Sequence, residues 1–101
     1  MNKNVTIVYE RVLNVVLDDF DVEVQKMLHS NELECVQART VLYVSLHEKG
    51  FSDTEIAQCC GVCRESVNRT RNRFIEFVEI QKNKVPWLMQ ISLDKIRGQK
   101  S

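Results

Sequence analysis

Residues 51–74, FSDTEIAQCCGVCRESVNRTRNRF, set three cysteines within five positions and then four arginines within ten. Residues of these types at these spacings could form a thiolate metal site, a thiol switch, or a row of cations presented to an anion. Structural zinc needs four converging ligands, usually as paired C-x-x-C units. Cys60 and Cys63 make one such unit, no second one exists, and neither His29 nor His47 is spaced to complete it. Packing and capping is therefore the favoured role for the cysteines, with metal binding and a thiol switch as the lesser alternatives. The expectation is no metal and no cofactor.

The flanking elements explain the stretch better. Leu33 to Lys49 runs past strand length without Gly or Pro, so its apolar centre TVLYVSL reads as a buried helix, closed by Gly50. Ser52 and Glu55 form a capping box for a helix starting at Asp53, and Phe51 is placed to staple onto Ile56. That helix ends at Gly61 and another starts near Arg64. Ala57 where the helices touch, Gly61 where the chain needs positive φ, and Val67 facing back are what a helix-turn-helix over about residues 53–80 demands. In that frame Cys60 is a small buried hydrophobe, Cys63 an N-cap, and Cys59 an outward residue.

At about 100° per residue, Val67, Phe74 and Val78 share the inner face of the second helix, with Thr70, Ile75 and Phe77 on its shoulders. The opposite face carries Glu65, Asn68, Arg69, Asn72, Arg73 and Glu76, while Arg64 and Arg71 fall near the border. Arginine can bond guanine twice, asparagine adenine twice, and glutamate can accept from cytosine. Residues 64–73, with Ser66 among them, are thus expected to read the major groove of double-stranded DNA. Ser52, Thr54 and Gln58, with the first amides of the preceding helix, are the expected phosphate anchors.

Upstream, Val5, Val8, Val12, Val15 and Val16 recur at helical spacing over residues 5–17, and Asp18, Asp19 and Asp21 interrupt the pattern before a shorter helical segment around Val22–Leu28. The 101 residues suit one all-α domain, with 82–101 as a C-terminal extension that reads either as an alternating strand or as a helix begun by Pro86. Formal net charge is zero. Its distribution is not even: residues 1–50 carry five Lys or Arg against eight Asp or Glu, and residues 51–101 carry nine against six. No apolar run is long enough for a membrane span, and no signal peptide is evident, so a cytoplasmic location with reduced thiols is expected. No nucleophile, base and orienting group are arranged as one site, so the expected class is a binding protein and not an enzyme.

Over roughly residues 5–80 the chain resembles the C-terminal DNA-binding domain of the bacterial replication initiator DnaA, within the Trp-repressor-like group of all-helical folds. VQARTVLYVSL is similar to the Arg-containing start of that domain's central helix, and FSDTEIAQCCG to the stretch leading into its helix-turn-helix. The resemblance implies that Arg39 enters a minor groove and that Ser66 and Val67 match the end of an Arg-Asp-His-Thr-Thr-Val signature. Residues 62–67 otherwise read VCRESV, closer to the Gly-Val-Ser/Thr-Arg-x-x-Val pattern of general transcriptional regulators.

The function expected is that of a small regulator, or an accessory replication or mobile-element protein. The alternative is a protein-interaction module that keeps the fold without binding DNA, which zero net charge, Glu65 and Glu76 favour. A homodimer is a further expected partner state, through the N-terminal helix or the Trp87 tail.

Overall fold

The computed structural model describes residues 3–80 and 85–99, which form six α-helices and, among the described residues, no strand. The helices are α1 (Lys3–Phe20), α2 (Val24–His29), α3 (Leu33–Glu48), α4 (Asp53–Cys60), α5 (Arg64–Ile80) and α6 (Trp87–Arg97). Residues 82–84, 100 and 101 of the C-terminal extension lie outside the described residues.

The central helix is α3, which packs against the other five. Its run from Thr40 to Leu46 is buried without interruption, which accounts for an apolar pattern with no polar face. One buried cluster takes residues from all six helices, from Val12 and Val16 of α1 to Ile96 of α6. α1 runs three residues beyond the expected boundary, because Phe20 continues the Val12–Val16 stripe into the core. Asp19 is accommodated there by Lys95 Nζ at 2.7 Å, and the chain turns at Asp21 with φ +52°. The short α2 has Glu23 as its N-cap, whose carboxylate accepts the amides of Gln25 and Lys26.

The turn chemistry around α4 follows the residue types. Gly50, at φ +102°, closes α3: its amide donates to the His47 carbonyl and the Phe51 amide to the Leu46 carbonyl, the paired bonds of a Schellman closure. Phe51 is then buried beside Ile56 in the common core. Ser52 and Glu55 make the reciprocal capping box, with bonds of 3.0 and 3.1 Å. Gly61, at φ +69°, ends α4, and its amide and that of Val62 both donate to the Ala57 carbonyl.

The tail is the helix α6, with Pro86 at its N-cap. It lays Met89, Ser92, Leu93 and Ile96 against α1 and α3. Trp87 stays 72% exposed, so the tail's aliphatics and not its indole are what the domain covers. No helix of the described residues is long and apolar enough to cross a membrane.

Candidate functional site

Three residues, Gly61, Val62 and Cys63, connect α4 to α5, and Cys63 begins α5 by accepting the Ser66 and Val67 amides on its carbonyl. Val67 is the one residue of α5 that is buried, fully so. It pins the N-terminal half of the helix to the core and leaves Arg64, Glu65, Ser66, Asn68, Arg69, Asn72 and Arg73 exposed. The apolar stripe further along behaves differently from the sequence expectation. Phe74 and Phe77 are only half-buried, while Ile75, Val78 and Ile80 are exposed, because α5 outruns the helices beneath it.

Two clefts border this half of α5. The outer one, about 600 Å³, is lined by Arg64, Glu65, Asn68, Arg69, Asn72, Arg73 and Glu76. The inner one, about 500 Å³, opens between α5 and the α2–α3 corner; Arg39, Arg69 and Arg73 line it together with His29, Asn31 and Ser66, and among the described residues no carboxylate does. Arg69 and Arg73 belong to both. Three guanidiniums thus border the inner cleft, with Glu65 and Glu76 on the outer side of Arg69 and Arg73, and a planar, always-charged arginine head is of the kind that suits phosphate.

The structure separates the expected site residues into groups. Arg64, Glu65, Asn68, Arg69, Asn72 and Arg73 share the outer cleft, and Ser66 joins Arg39 in the inner one. Arg39 also has a structural partner that sequence could not show. Its Nη1 donates to the carbonyls of Met27, Leu28 and Ser30, each at 3.1 Å, and so closes the C-terminal end of α2. Ser52 uses its hydroxyl in the capping box. Thr54 and Gln58 are exposed on α4 but line neither cleft.

Sequence spacing does not pair Asp53 with Arg71; the fold does. Arg71 Nε and Nη2 grip Asp53 Oδ1 and Oδ2 at 2.7 and 2.8 Å, with side chains only 13% and 14% exposed. The Arg71 hydrogen bonds, joined by one from Asn68, hold the Asp53 carboxyl down at about 2. The fork ties the first residue of α4 to the middle of α5 and sets the angle at which the exposed face is presented. The one available signal was Arg71 at the border of the apolar stripe.

The thiols sit in unlike surroundings. Cys35 and Cys60 are buried, Cys59 is half-buried against the core, and Cys63 is exposed. Burial pushes the Cys60 thiol up to about 11, and its hydrogen bond with Tyr9 opposes that only in part. Such a thiol is inert near neutral pH. Among the described residues no three His, Cys, Asp or Glu side chains are grouped to hold a metal ion.

Comparison with known proteins returns no family model, no curated protein and no solved structure that matches this chain.

Proposed function

We propose that this chain is a small DNA-binding helix-turn-helix protein that acts by binding, with α4 and α5 as the motif and residues 64–73 in the major groove. The observation that carries this reading is the carboxylate-free cleft lined by Arg39, Arg69 and Arg73, directly beside an exposed face rich in Arg and Asn. Arginines that border both clefts can meet phosphates on one side and base edges on the other. The likeness to the replication initiator's DNA-binding domain and to the Gly-Val-Ser/Thr-Arg pattern of regulators agrees with it. The proposed role is that of a transcriptional regulator or an accessory replication or mobile-element protein.

The test is fluorescence anisotropy of random-sequence duplex DNA at low and moderate salt, with an Arg69→Ala, Arg73→Ala variant beside the unaltered chain. Affinity is expected to fall steeply with salt, by a slope of about −0.9 per phosphate contacted, and to be weakened by the double substitution. Absence of binding by the folded protein at every salt concentration would sink the reading. A second reading, a protein-interaction module, draws on the exposed Ile75, Val78, Ile80 and Trp87.

A further inference from the structure

A carboxylate can only accept hydrogen bonds, whereas a side-chain amide donates from one end and accepts at the other. This difference fixes a direction along a chain of side chains on the outer face of α5. Asn68 Nδ2 donates to Asp53 Oδ2 at 3.1 Å, so the Asn68 carbonyl must face the other way. There it accepts from Asn72 Nδ2 at 3.0 Å. One Nδ2 hydrogen of Asn72 is thereby spent on Asn68, which fixes the orientation of the amide and leaves its other Nδ2 hydrogen and its Oδ1 for a partner. Asp53 itself cannot rotate away, because the Arg71 fork occupies both of its oxygens.

We propose that Asn72 is a base-specifying residue whose polarity is set by Asp53 from the neighbouring helix, and that it reads the exocyclic amino group of an adenine or a cytosine on the contacted strand. The inference rests on the DNA-binding reading and adds the identity of the base. An asparagine free to flip could present either end to a base edge and would tolerate amino and keto groups alike. Here the relay fixes the order of acceptor and remaining donor before any partner arrives, and a pre-set side chain discriminates better than one that must reorient. In the major groove adenine N6 and cytosine N4 are donors that suit the Asn72 oxygen, with adenine N7 placed to accept the remaining Nδ2 hydrogen, while guanine O6 or thymine O4 opposite that oxygen would be repelled. Asn68, held at both ends, acts as a positioning residue. Arg69 and Arg73, on either side of Asn72 in the same cleft, remain for guanines at adjoining steps.

The experiment is selection of bound duplexes from a random pool by the full chain, followed by sequencing, for the unaltered protein and for Asn72→Ala, Asn72→Asp and Asp53→Asn. The unaltered protein is expected to yield guanine positions and one nearby position restricted to adenine or cytosine. Asn72→Ala, at an exposed position that leaves the fold intact, should relax that one position by about tenfold and leave the guanines in place. Asn72→Asp keeps only acceptors and should retain the adenine-or-cytosine restriction at lower overall affinity. Asp53→Asn restores a donor to the head of the relay and should broaden the same position; should this variant not fold, the two Asn72 variants decide. An unchanged profile for Asn72→Ala, or a guanine or thymine at the position it controls, overturns this inference while the DNA-binding reading stands. Failure of the unaltered chain to bind any duplex overturns both.

Discussion

The α4–α5 corner and the α3–α6 corner are each closed by an arginine that grips a carboxylate with two nitrogens, yet the two closures differ in what surrounds them. Arg71 and Asp53 are 13% and 14% exposed; Arg97 and Glu48 meet at 2.9 Å through both bonds but are 46% and 39% exposed. Similar geometry in water is screened and competes with hydration, so the outer fork is a weak tether between α3 and α6. The sheltered fork carries more free energy, and it also sits under the face that presents Arg69, Asn72 and Arg73. Solvent decides how strong such a pair is, and its place in the fold decides what it is for.

The comparison is broken most directly by removing one acid from each corner. Asp53→Ala leaves Arg71 sheltered without a partner and strips α4 of a first-turn carboxylate, so a loss of about 2–3 kcal/mol is expected in urea denaturation. Combining it with Arg71→Ala should cost less than the sum of the two single changes, and simple additivity would show that the fork carries no coupling.

Acid gives the next largest effect. The folded Asp53 carboxyl titrates at about 2 instead of the ordinary 3.8. A depressed carboxylate stabilises fully above its unfolded value and loses that contribution as pH falls through the folded one. About 2 kcal/mol should therefore disappear between pH 4 and pH 2. Asp53→Asn should flatten this part of a stability-against-pH curve. Glu48 is lowered too, chiefly by its hydrogen bonds from Arg97, and adds in the same direction. An unchanged acid limb in Asp53→Asn would remove Asp53 as its source.

The smallest effect is expected at the outer corner. Glu48→Ala should cost under about 1 kcal/mol, and 1 M salt should erase most of that difference while leaving the Asp53→Ala deficit in place. Equal deficits at both corners, with equal salt response, would show that exposure does not distinguish them.

Local sequence rules account for much of this architecture. Gly50 and Gly61 mark helix ends, Ser52 and Glu55 mark a start, and TVLYVSL, apolar nearly all round, belongs to the one helix that is surrounded. Each of these depends on neighbours within about six residues. The residues sharing the outer face of α5 were likewise legible from angular spacing alone. What spacing could not show is where a helix stops being covered: Ile75 and Val78 continue the stripe of Val67, but the core beneath has ended. The same holds for Trp87, apolar and yet exposed. The bonds from Asp53 to Arg71 and Asn68 were invisible for a related reason, since pairing across eighteen and fifteen residues is decided by how two helices cross. Arg39 is another such case, serving α2 from α3.

That contact governs when α2 can exist. Six residues are too few to sustain a helix in water, since nucleation is costly and little propagation follows. Two of the carbonyls at its end, those of Met27 and Leu28, are met by a single guanidinium delivered from α3, and besides the Glu23 cap α2 is held by burial of the Met27 and Leu28 side chains. The expected consequence is a late-forming and early-melting element: α2 should assemble only once α3 is in place, and its amides should exchange with solvent more readily than those of α3.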